Sequence, residues 1–167
     1  MITIRSFFRT IAPDIFTTGS LYLAGFAQAR SPHAGLIIPS SSTSGRLVHI
    51  RIDRNTSPFW QYQSRKQNIS GDMFITSLLR IHDIAISPIT EEQLEEAAVS
   101  VPVPSNDEFG ECLPWVLKVV QKLYDMELLQ QVDTNGLVKE FEEFAAGNNS
   151  YARRDRFPNV AISQYAT

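Results

Sequence analysis

Three side chains in this 167-residue sequence combine nucleophilic and proton-transfer chemistry: His33, His49 and the single cysteine, Cys112. A cysteine nucleophile needs a base within hydrogen-bond reach and a third group that orients the base. Two histidines at the ends of "HAGLIIPSSSTSGRLVH" supply both types. Cys112 opens a helical pattern, where the backbone dipole favours a thiolate and a neighbouring imidazole would lower the thiol pKa further. The competing reading is structural, because free cysteines and lone histidines are common interior residues.

These residues act together only if the elements between them fold to bring them together. "RLVHIRID" alternates Leu47, His49 and Arg51 against Val48, Ile50 and Ile52, the period of a half-buried strand. "HAGLIIP" is a second apolar run, and the polar "SSSTSG" between them predicts a hairpin over residues 33–52. "SLYLAGFAQA", "FWQYQSR" and the apolar alternation from Leu79 to Ile86 predict further strands.

Thr90 with Gln93 three residues later is a capping box, so a short acidic helix is expected after it. Pro102 and Pro104 make residues 100–111 a loop that delivers Cys112. Val116, Val119, Val120, Leu123 and Leu128 then follow helical spacing, with Pro114 tolerated in the first turn. Leu137, Val138, Phe141, Phe144 and Ala145 mark another helix, ended by Gly147.

The expectation is an α+β fold, an antiparallel sheet built from residues 20–86 with the Cys112 helix packed on it. One domain spans 1–167, with an N-terminal arm over 1–18, a core over about 20–130 and a C-terminal arm over 148–167.

The order of "PHAGLII", "GRLVHIRI" and "GECLPWVLKVV" resembles the permuted papain-like architecture of the lecithin:retinol acyltransferase group, relatives of the NlpC-type peptidases. The resemblance implies a cofactor-independent thiol hydrolase or acyl-transfer enzyme acting on amide, ester or thioester carbonyls, with intramolecular cyclisation as a further outcome. It implies that Cys112 attacks the carbonyl, His33 takes and returns the proton, His49 orients His33, and helix N-terminal amides hold the oxyanion. A catalytically silent papain-like scaffold is the alternative.

Trp60 and Tyr62 share a face of "FWQY" and are the candidates for lining a substrate pocket, or else fill the core. The partner expected is a small-molecule or peptide-like acyl substrate, and no cofactor is called for. A zinc site from His33, His49, His82 and Cys112 lacks paired ligand spacing, and "NDEFGE" lacks the spacing of a calcium loop. Arg153, Arg154 and Arg156 form a small basic cluster whose Asp155 points to an internal ion pair.

A net charge of −3 gives no reason to expect nucleic acid as a partner. No apolar run approaches the roughly 20 residues of a membrane span, so stable membrane insertion is not expected. Arg5, Arg9 and Asp14 interrupt any signal-like apolar run, and one cysteine suits a reducing compartment, so a cytoplasmic location is expected.

Overall fold

The computed structural model describes residues 11–28 and 33–167. Most of the expected arm over 1–18, including Ile2, Ile4, Phe7 and Phe8, lies outside the described residues.

Five strands form in chain order, β1 (Leu21–Phe26), β2 (His33–Pro39), β3 (Ser44–Arg51), β4 (Gln61–Asn68) and β5 (Ile75–His82). Helices α1 (Glu91–Val99), α2 (Cys112–Asp125) and α3 (Thr134–Ala146) follow, and β6 (Asn159–Ile162) closes the chain. The six strands make one sheet in the order β4-β3-β2-β1-β5-β6. The fold is therefore α+β, as expected.

Two expectations about the sheet are corrected. It is mixed, because β6 pairs parallel to β5 while every other neighbour is antiparallel. The three helices carry the chain back before β6, supplying the long crossover that a parallel neighbour requires. β6 also takes up part of the expected C-terminal arm. The strand expected over Leu79 to Ile86 is displaced to Ile75–His82, because Asp83 starts a turn. Its Oδ1 accepts the Ala85 N–H at 2.9 Å, and its carbonyl accepts the Ile86 N–H at 3.0 Å.

The helix starts follow their local chemistry. Thr90 Oγ1 accepts the Gln93 N–H at 3.0 Å while Gln93 Oε1 accepts the Thr90 N–H at 2.9 Å. Asp133 caps α3 through the Gly136 N–H at 3.1 Å, so this helix begins a turn before Leu137. α2 ends at Asp125, short of Leu128. Glu127 adopts φ 62° there, and the Leu128 N–H returns to the Leu123 carbonyl at 3.0 Å.

Alternation along the strands gives the sheet two buried faces. Leu36, Val48 and Ile50 join Val116, Val119 and Val120 of α2 in the helix-side core. Ile37, Leu47 and Tyr22 form the opposite core, where Phe16 stacks on Tyr22 and meets Phe157 edge-on. Full burial of each aliphatic side chain on α2 contributes about 1.5–3 kcal/mol, which holds this helix on β2 and β3.

Gly35 sets how closely β2 approaches β3. A Cβ there would stand 3.1 Å from the Val48 carbonyl oxygen, 3.2 Å from His49 Cβ and 2.7 Å from Leu47 Cδ1. Gly35→Ala is expected to push the strands apart and destabilise the protein by about 1–3 kcal/mol. Urea denaturation checks this, and an unchanged midpoint would show that the contact is not limiting.

Candidate active site

The hairpin register decides which side chains on β3 and β4 can meet. His49 lies directly opposite Gln63 in the β3–β4 ladder, and His49 Nε2 is 2.9 Å from Gln63 Oε1. On its other side, His49 Nδ1 is 2.8 Å from His33 Nε2, with the two rings set edge to face. Because an amide oxygen only accepts, His49 must donate from Nε2 and accept at Nδ1. His33 therefore donates from Nε2, and its Nδ1 is left as the acceptor. The chain Gln63–His49–His33 thus has one direction, ending in a basic nitrogen on His33.

Gln63 was not among the residues singled out from sequence. Its signal lay in the register: once "FWQYQSR" pairs with "RLVHIRID", the position facing His49 is fixed.

Cys112 enters from the helix side of the sheet. The β2–β3 ladder runs from Pro39–Gly45 to Leu36–Val48 and stops, although both strands continue. Beyond that stop the Ala34 backbone amide comes close enough to the Cys112 thiol to pull its pKa down. Ala34 follows His33 directly, so the sulfur lies beside the backbone that carries the end of the relay. Among the described residues no hydrogen bond joins the sulfur itself to an imidazole.

The N-terminus of α2 contributes further donors. The first-turn amides of Cys112 and Leu113 also act to lower the thiol pKa. Glu111 at the cap makes no side-chain hydrogen bond to the helix, so these first-turn amides have no competing cap.

Burial governs the electrostatics. It pushes the Cys112 thiol above its ordinary range, outweighing the three backbone amides that pull it down, and Glu111 adds a further upward push. The expected dipole-stabilised thiolate is thereby corrected. Burial also lowers His33 to about 4, with the Arg65 guanidinium acting in the same sense. His49 falls to about 3, again chiefly through burial, which the Gln63 hydrogen bond opposes and His33, Arg65 and Arg51 reinforce. The resting site therefore holds a neutral thiol and two neutral imidazoles. Taking even an ordinary thiol, transfer of its proton to His33 is uphill by on the order of 6 kcal/mol. These shifts disfavour a standing thiolate–imidazolium pair.

The residue Cys112 is 5% exposed, yet it lines a groove of about 630 Å³ between the start of α2 and α3. Trp60 and Tyr62 do not line that groove. Trp60 Nε1–H donates to the Glu108 carbonyl at 3.0 Å, and its backbone N–H donates to Asn106 at 3.1 Å, so it anchors the loop leading to Cys112. Tyr62 packs on Trp115 with ring centroids 6.0 Å apart.

His82 is also separate from the site. Its Nε2 donates to the Ser87 carbonyl at 2.7 Å and closes the turn after β5. Arg153 pairs with Asp155 at 2.6 Å, and Arg156 lies 3.7 Å over the Tyr151 ring, so these two arginines are engaged within the chain. Among the described residues no three His, Cys, Asp or Glu side chains are grouped to hold a metal ion, and no helix is long and apolar enough to cross a membrane.

Comparison of the chain with protein-family models, curated proteins and solved structures finds no match to any of them.

Two measurements follow from the neutral resting site. Both imidazoles bind a proton more weakly folded than unfolded, so their contribution to stability is complete above the unfolded value of 6.5 and declines as pH falls toward about 4 and 3. Between about pH 7.5 and pH 5 the folded protein should lose on the order of 2 kcal/mol per histidine, and His33→Asn should flatten that slope. Urea titrations at both pH values test this, and an equal slope in the variant would sink it. Iodoacetamide alkylation of native Cys112 is expected to titrate above the ordinary thiol range and to return to it on denaturation. A native curve shifted downward would instead reveal an ion pair.

Proposed function

We propose that this protein is a cofactor-independent, cysteine-dependent acyl hydrolase or acyl-transfer enzyme with a permuted papain-like organisation. The observation that carries this reading is the chain Gln63–His49–His33, which leaves a basic nitrogen on His33, the residue next to Ala34, whose backbone amide acts on the Cys112 thiol.

In this mechanism Cys112 Sγ attacks an acyl carbonyl as its proton passes to His33 Nδ1. The new imidazolium donates from Nε2 to His49 Nδ1, and His49 in turn donates to Gln63 Oε1, so the ring stays oriented while the charge is present. The Cys112 and Leu113 amides at the start of α2 are the donors available to the developing oxyanion. His33 returns the proton to the leaving group, giving an acyl-thioester on Cys112 that water or another nucleophile resolves.

A silent scaffold is the second reading, favoured by the 5% exposure of Cys112. Incubation with p-nitrophenyl acetate separates the two. Acetyl transfer to Cys112, read by intact mass, is expected in the wild type. It should be absent in Cys112→Ser, slowed about 100-fold or more in His33→Asn, and slowed less in Gln63→Ala. A Cys112 that accepts no acetyl group until the protein unfolds would leave the scaffold reading standing.

A further inference from the structure

The groove beside Cys112 narrows the substrate class, an inference that rests on the acyl-transfer reading above. Its walls come from the first turn of α2 and one face of α3. Leu113, Pro114, Val138 and Phe141 supply apolar surface, and Glu142 and Glu143 add two exposed carboxylates. Among the described residues no cationic side chain lines it; Lys139 borders an adjoining depression that shares Glu143, and Lys118 one that shares Pro114 and Val138. Glu111 adds a third carboxylate whose charge acts on the thiol itself.

The groove also has a definite side. The histidines occupy the face of the sheet that carries Leu47, whereas α3 lies on the other face with Leu36 and Val48. A general acid must face the leaving group, so the leaving group belongs toward His33. The acyl portion then extends into the helix-side groove. At about 630 Å³ the groove accommodates a compact group of small-ligand size.

We propose that the α2–α3 groove is the acyl subsite and that it takes an apolar acyl group bearing a positive charge, held between Leu113, Val138 and Phe141 and the carboxylates of Glu142 and Glu143. An acyl group with a terminal ammonium on an aliphatic stem meets both requirements. A carboxylate on the same stem would meet like charge.

Methanethiosulfonate reagents test the groove without needing catalysis, since their sulfur is attacked directly by a thiolate and a sulfinate leaves. The probes are the aminoethyl and sulfonatoethyl reagents, with 2-mercaptoethanol as the reference thiol and modification of Cys112 read by intact mass. The cationic-to-anionic rate ratio at Cys112 is expected to exceed the reference ratio by about fivefold or more, the effect of nearby carboxylates in a partly desolvated groove. In the double variant Glu142→Gln, Glu143→Gln the ratio should move back toward the reference. The neutral hexyl reagent should also outpace the methyl reagent.

A reference-like ratio in the wild type, a ratio unaffected by the double variant, or a Cys112 that reacts only after unfolding would each overturn the proposal. Charge selectivity together with no acetyl transfer from p-nitrophenyl acetate would leave the groove as a binding subsite and remove the acyl-transfer reading alone.

Discussion

The 2.8 Å hydrogen bond between His33 and His49 is the constraint on which the candidate site depends. Two buried imidazoles can share such a bond only if one is a donor and the other an acceptor, and protonation of His49 Nδ1 would abolish it. The Gln63 oxygen assigns the roles, and Gly35 keeps the two strands close enough for the rings to meet. A net hydrogen bond of about 1 kcal/mol is modest as a stabilising term. Its larger effect is to fix which tautomer each ring takes, while burial keeps both rings neutral.

The same burial explains why Cys112 departs from its sequence-level expectation. A helix dipole contributes about 0.3–1 kcal/mol in exposed settings, and the backbone amides of Ala34, Leu113 and Cys112 act in the same sense. Desolvation of a thiolate in an apolar core works against all of these and is the larger effect here. The sequence displays the helix start at Cys112, but the packing of Trp115 and Val116 that desolvates it is a tertiary property.

Local patterns carried much of the fold. The alternation in "RLVHIRID", the polar turn at 40–45 and the Thr90–Gln93 box are each read within a few residues, and each corresponds to an element of the structure. What was not legible depends on distant pairing. β6 is four residues long, and its parallel place beside β5 is determined by three intervening helices. Gln63 is an ordinary strand residue until the β3–β4 register sets it opposite His49. Trp60 and Tyr62 do share a surface, as their spacing indicates, but the loop at 106–108 and Trp115 occupy it. Alternation identifies a face without identifying what covers it.

A relay that ends in an amide rather than a carboxylate has a consequence for the chemistry. A carboxylate partner would raise the histidines and favour a standing thiolate–imidazolium pair, which a buried site with Arg65 nearby would have to accommodate at rest. Gln63 orients His49 with no charge of its own, so the resting site is neutral. In the proposed mechanism charge would appear at two places at once, on the oxyanion near the α2 amides and on His33 at the head of the relay, and both have dipoles nearby before it forms. On the proposed reading the point where the β2–β3 ladder ends is decisive, because there the Ala34 amide is next to the Cys112 thiol while His33 and His49 occupy the other face of the sheet. Any proton passed from the thiol to His33 would have to cross at that opening.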